Sequence, residues 1–255
     1  MTPNNRAQRR ELGFSLLEMM FVVLIIGVIS GGILSQMNLA VQRSSAEQTK
    51  LDDMQQARDF VDQFFRDINE IGYPNVRLVD TTTGAAWTPV LASPVINDNR
   101  FAIGLVKIDK NELWFEADTN GDGNVQSIGY KVNGNTNCLL CLQRSQVAKV
   151  PGSPLTGQTP NWGTEVNDVV LTNPIFTYFK ADGTAIATSS LPLDISTAAN
   201  ATILASIKTI QISLTIRNPN IKDLKSGLPL ETDFQGEVSL NNCSMAASGA
   251  PMSCQ

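Results

Sequence analysis

The chain has 255 residues, ample for a sizeable core in one large domain or two ordinary ones, and its 42% hydrophobic and 17% charged residues argue against wholesale disorder. A net charge of −5 gives no footprint for phosphate backbones and no local basic patch is visible, which argues against nucleic-acid binding. Histidine is absent, removing the commonest general base and a leading zinc ligand and lowering the case for hydrolytic or transfer chemistry.

The first informative stretch is "RRELGFSLLEMMFVVLIIGVISGGIL" at 9–34. Residues 14–34 are 21 positions with one charge, Glu18, and no further charge occurs before Arg43. At ~1.5 Å per helical residue they cover about 30 Å, the thickness of a bilayer's hydrocarbon core. Arg6, Arg9 and Arg10 precede the run, so the positive-inside rule places residue 1 in the cytoplasm and everything after the span outside. An ordinary secretory signal has a shorter apolar core with its cleavage site behind it. Here the candidate cut, "ELG/FSLLE", lies in front, so the apolar run stays with the mature chain. Loss of 1–13 removes three arginines and one glutamate and leaves a net charge of −7. An ionised carboxylate inside a bilayer costs a few kcal/mol even on lenient scales, so Glu18 calls for a partner. The alternative is a plain signal anchor whose Glu18 sits idle near the interface.

Basic leader, Gly13, Phe14, and Glu18 as the fifth residue after the junction together resemble the prepilin leader of type IV pilins and type II secretion pseudopilins. The resemblance implies cleavage after Gly13 by a membrane aspartyl peptidase and N-methylation of Phe14 by the prepilin peptidase/N-methyltransferase. It also implies that Glu18 pairs with the free terminal amine of a neighbouring subunit in a filament's helical core, helping to set subunit register.

Between Gly32 and Gly72 lie 39 residues with neither glycine nor proline, so nothing forces a helix to stop. Leu51, Met54, Ala57, Val61, Phe64, Ile68 and Ile71 recur at three-four spacing, one face of an amphipathic helix. Lys50, Asp52, Asp53, Arg58, Asp59, Asp62 and Arg66 occupy the other face, and "GYP" at 72–74 supplies a stop. The pattern predicts one continuous helix over about 15–71, roughly 85 Å long.

From Phe101 the period changes. "FAIGLVKI", "ELWFEAD", "VQSIGYKV" and "CLLCLQR", separated by "DKN", "TNGDG" and "NGNTN", read as an antiparallel meander. "VVLTNPIFTYFKADG" offers further strand, with Pro174 marking an edge or bulge. "IQISLTI" at 210–216 alternates strictly, one face buried and one wet, and "DFQGEVSLNN" reads as a last strand. Residues 145–165 and 183–200, rich in Gly, Pro, Ser and Thr, read as loops. A membrane helix running into an amphipathic helix and then an antiparallel sheet is an α+β layout of pilin-like type. It divides as leader 1–13, transmembrane half-helix 14–36, amphipathic half-helix 37–72 and β-rich head 73–255.

"RDINEIGYP", "FEADTNGDGNVQSIGYKV" and "FTYFKADG" also resemble PilW-type minor pilins and J-type pseudopilins. Within "DTNGDGNVQ", Asp118, Asn120 and Asp122 take positions one, three and five of a calcium-loop pattern, but Gly129 stands where the bidentate glutamate belongs. A hairpin turn, which the flanking strands already require, is the preferred reading, and no cofactor beyond that calcium option is expected. Cys138, Cys141, Cys243 and Cys254 form an even set in an exported chain, read as disulfides of three possible connectivities. The pilin resemblance implies a Cys243–Cys254 clip on the tail, leaving Cys138–Cys141 as the other bridge. Within a regular strand those last two point to opposite faces, which favours cross-pairing if the strand holds. Trp87, Trp114 and Trp162 form no platform by their spacing and read as core or interface.

The resemblance thus implies a non-enzymatic minor pilin subunit that is anchored in the bacterial inner membrane with its head periplasmic, partners other pilin-like subunits, and primes assembly at a pilus tip. The alternatives are a J-type pseudopilin of a type II secretion system and, in another class, an adhesin or ligand-binding module displayed on a pilin stem. No nucleophile–base pair and no phosphate loop is found.

Overall fold

The computed structural model of this chain describes residues 15–74, 99, 101–134, 140–171, 173–222 and 227–240. Two compact units divide it, Met1–Thr49 and Lys50–Gln255, and the first helix, α1 (Leu16–Asn69), contributes residues to both. In the first unit the described residues from Leu16 onward are all helical. Helix α1 ends within about two residues of the expected boundary, at a turn completed by Gly72, whose φ of 77° suits a residue without Cβ. The Gly72 amide donates to the Glu116 carbonyl (3.0 Å) and the Asp118 amide to the Tyr73 carbonyl (2.9 Å). The helix end is thereby moored to the strand it meets.

Among the described residues of the second unit ten strands follow: β1 (Leu105–Ile108), β2 (Glu112–Ala117), β3 (Gln126–Asn133), β4 (Cys141–Ala148), β5 (Trp162–Val166), β6 (Val169–Val170), β7 (Phe176–Lys180), β8 (Leu193–Asp194), β9 (Ile207–Lys222) and β10 (Pro229–Ser239). A short helix, α2 (Ala198–Ala205), precedes β9, its first turn capped by Thr197, whose side chain accepts from the Asn200 amide. The strands form two antiparallel sheets, one of six in the order β5-β4-β3-β2-β1-β8 and one of four with β9 between β10 on one side and β6 and β7 on the other. The α+β architecture matches the sequence reading. Pro174 acts as expected: it lies in the break between β6 and β7, which pair with the same edge of β9 because a residue lacking N–H cannot continue the ladder.

Two loop assignments are corrected. Residues 145–165 contain the end of β4 and nearly all of β5, and 183–200 contain β8 and the start of α2. Composition misleads in both places. β5 is a short edge strand with only Val166 fully buried, so polar residues and glycine are tolerated there.

The helix stripe is where the two sheets meet. Ala57, Phe64, Ile68 and Ile71 are buried as predicted, and Phe60 joins them. Phe60 and Phe64 meet Tyr130 of β3 edge-on, at 5.7 and 5.4 Å between ring centroids, while Phe64 stacks on Phe176 of β7 at 5.7 Å. Phe64 therefore touches both sheets. β9 supplies the opposing wall with Ile210, Ile212, Leu214 and Ile216, the buried half of its alternating run. Each such side chain contributes roughly 1.5–3 kcal/mol on burial. Leu51 departs from the expected stripe: it is 65% exposed.

Truncating Phe64→Ala removes contacts to two sheets at once and is expected to destabilise by about 3–5 kcal/mol. Leu51→Ala should stay within about 0.5 kcal/mol of the parent. Urea unfolding of the detergent-solubilised chain, followed by near-UV circular dichroism, measures both.

Candidate functional site

Two regions of the chain carry chemistry that a core does not need. The first is the start of α1. Leu16 is 79% exposed and Phe21 58%, and every large apolar side chain from there to Val41 that is described as exposed lies on this one helix. Among the described residues α1 is the helix long and apolar enough to cross a membrane. Soluble proteins rarely leave so continuous an apolar surface to water. Glu18 sits in the first turn, exposed, with its backbone amide bonded to the Ser15 carbonyl at 2.9 Å. The acid thus occupies the helix N-terminus, where the peptide dipoles favour negative charge. Gly13 and Phe14, the candidate processing junction, lie outside the described residues.

The second region is the loop between β2 and β3 with the sheet face beside it. Asp118 accepts from the Gly121 and Gly123 amides, both at 2.9 Å, and Asp122 from the Asn124 amide at 2.7 Å. Hydrogen bonding to the Asn124 amide holds the Asp122 carboxyl below its ordinary range. Asn120 donates to Asp122 (2.8 Å) and accepts from Gln126 Nε2 (2.7 Å). The turn that the flanking strands require is built by these residues, with Gly121 and Gly123 at positive φ. Among the described residues no group of three His, Cys, Asp or Glu side chains is placed to hold a metal.

Beside this loop lie two buried ion pairs that the sequence analysis missed. Asp67 of α1 is fully buried, and Arg144 of β4 brings both Nε and Nη2 to its Oδ2 at 2.7 Å. The Tyr130 hydroxyl donates to the same oxygen, and Gln63 Nε2 donates to Oδ1 at 2.6 Å. Burial, reinforced by the Asp67 charge, raises the Tyr130 hydroxyl well above its ordinary range, so it remains a donor. Just past β4, Lys149 Nζ meets Glu116 Oε2 at 2.7 Å and the Phe101 carbonyl at 2.8 Å, while the Ile103 amide donates to Glu116 at 3.1 Å. Burial pushes the Glu116 carboxyl up, with Lys149 opposing. The partners lie 77 and 33 positions apart, beyond any local pattern. The only sequence signal was an acid, Asp67, next to the apolar stripe.

The tryptophans also come together where spacing showed no platform. Trp114 (β2), Gly129 (β3), Ser145 (β4) and Trp162 (β5) are register partners in one row. The two indoles meet edge-to-face at 5.3 Å over Gly129, where a Cβ would fall 2.9 Å from Trp162 and 3.2 Å from Trp114. Lys131 Nζ caps the Trp162 ring at 4.0 Å, and Trp114 Nε1 donates to Glu112 at 2.6 Å. Cys141 opens β4 and is disulfide-bonded. Cys138, Cys243, Cys254 and Trp87 lie outside the described residues.

Comparison with known proteins adds one finding. The family model described as "Prokaryotic N-terminal methylation motif" matches residues 8–34. No curated protein and no solved structure matches the chain. The motif supports a type IV pilin-like prepilin. It implies peptidase processing and assembly with other pilins, suggests a structural subunit rather than an enzyme, and with the apolar helix is consistent with membrane anchoring.

The Glu116–Lys149 pair makes a measurable prediction. Glu116→Ala removes the carboxylate that faces the buried Lys149 ammonium and should cost about 3–5 kcal/mol, whereas Glu116→Leu combined with Lys149→Met should recover most of that loss. Denaturant midpoints of the two variants beside the parent decide it.

Proposed function

We propose that the chain is a minor pilin-like subunit, processed between Gly13 and Phe14, N-methylated on Phe14, and drawn from the inner membrane into a filament, where it primes assembly at the tip. The observation that carries this reading is the apolar first half of α1, exposed on all sides and opening directly behind the motif at 8–34. In this reading 1–13 is a cytoplasmic leader, 14–36 the membrane half of the helix, and 73–255 a periplasmic head placed by the positive-inside rule. The mechanism is transfer rather than catalysis. The helix exchanges lipid for a bundle of similar apolar helices, and Glu18 selects its position by pairing with a neighbour's terminal amine, because an unpaired carboxylate in that bundle would cost several kcal/mol.

A J-type pseudopilin shares every one of these steps. The two are separated by the phenotype of a deletion: loss of surface fibres supports the pilus, and loss of protein export with fibres intact supports the secretion system.

Gly13→Asp places a bulky acid at the junction and should leave the basic leader attached, read as an unprocessed mass by intact-protein mass spectrometry. Normal processing of that variant counts against the proposal. Glu18→Ala should mature normally yet be recovered in sheared filaments at a small fraction of the parent amount; equal recovery removes Glu18 from the assembly step.

A further inference from the structure

Beside the β2–β3 loop, and on the sheet face that carries Arg144, is a cleft of about 680 Å³, within the size range of small-molecule sites. Its lining is unusual in kind. Six residues that carry carboxamides line it, Asn99, Asn120, Asn124, Gln126, Gln146 and Asn161. Its two cations are already committed, Arg144 to Asp67 and Lys149 to Glu116, each at 2.7 Å. The charge left at the rim is the exposed Asp122 carboxylate, which repels anions. We propose that this cleft binds a neutral, hydroxyl-rich ligand, a saccharide.

Three features support that class. A carboxamide offers two donors and a carbonyl acceptor on one planar group, so it can satisfy both roles of neighbouring sugar hydroxyls, which a charged side chain cannot do alone. The amides of the buried Gln126 and the exposed Gln146 are held in place. Gln126 donates to Asn120 (2.7 Å) and to the Asn124 carbonyl (2.9 Å) and accepts from Thr119, while Gln146 donates to Thr119 (3.0 Å) and accepts from Arg144 (2.7 Å). Such a lattice loses little freedom when a ligand arrives. Asn161, by contrast, is exposed at the cleft's lining, and its side chain makes no hydrogen bond among the described residues.

Competing occupants fit less well. A phosphate or nucleotide would need a free cation, and neither Arg144 nor Lys149 is available without breaking a buried pair. A peptide anchored by side chains would need an apolar pocket, and the apolar lining residues are Val125, itself buried, with Val147 and Ala148. The inference does not depend on filament incorporation, and its test leaves that reading untouched.

The test uses the full-length protein in detergent, with and without EDTA. Glucose, galactose, N-acetylglucosamine and their β1,4-linked disaccharides are titrated by saturation-transfer NMR and calorimetry. A second arm presents the same sugars on a carrier protein, which distinguishes a displayed glycan from a free sugar. Saturable binding in either arm, insensitive to salt and weakened roughly tenfold or more by Asn161→Ala with Gln146→Ala, is the expected result. Should that pair perturb folding, Asn161→Ala alone, at an exposed position, is read instead. Absence of saturable binding across both arms overturns the proposal. So does binding unchanged in the variants, and so does binding abolished by EDTA, which would assign recognition to a metal ion.

Discussion

The first half of α1 cannot be left in water. From Leu16 to Val41 its side chains are apolar on every side of the helix apart from Glu18 and a few small or amide groups. An amphipathic helix can bury one stripe and wet the other, but a helix that is apolar all round requires an apolar environment all round. Only lipid or a bundle of similar helices provides that. The pilin-type reading follows from this constraint together with the methylation motif across 8–34, which overlaps the apolar run.

The second half of the same helix solves a different problem with ordinary means. Its stripe is narrow, and Phe64 at the stripe's centre reaches Tyr130 in one sheet and Phe176 in the other. Neither sheet could bury its apolar face on water, and the helix gives both a common surface. This explains why the core residues of β3, β7 and β9 belong to a single cluster although the sheets share no strand.

Legibility from sequence tracked the range of the interaction. Periodicity is local, so the helix end and most strand positions could be read directly: "ELWFEAD" and "IQISLTI" are strands because side chains alternate every two residues whatever happens elsewhere. β5 and α2 were hidden because short, half-exposed elements at a sheet's edge tolerate the glycine, serine and threonine that usually mark loops. Pairings across the fold were not legible at all. Nothing near Asp67 announces Arg144, and nothing near Trp114 announces Trp162, since both contacts depend on strand register set by the whole sheet. The carboxamide cleft is illegible for the same reason: its residues come from the β2–β3 turn, two strands, the approach to a third, and Asn99 ahead of β1.

The buried Asp67 also shows what a lone acid can accomplish in an apolar stripe. Phe60, Phe64, Ile68 and Ile71 repeat at helical spacing, so apolar contact alone would tolerate a slip of one turn against the sheets. Such a slip would carry Asp67 away from Arg144 and Tyr130 and leave a carboxylate and a guanidinium without their counter-charges, at a cost of several kcal/mol. One ion pair therefore converts a permissive surface into a single register, as a polar residue does in a coiled-coil seam. The role proposed for Glu18 is the same device applied between chains. An apolar helix sliding among its copies has no preferred height, and one acid seeking one amine supplies it.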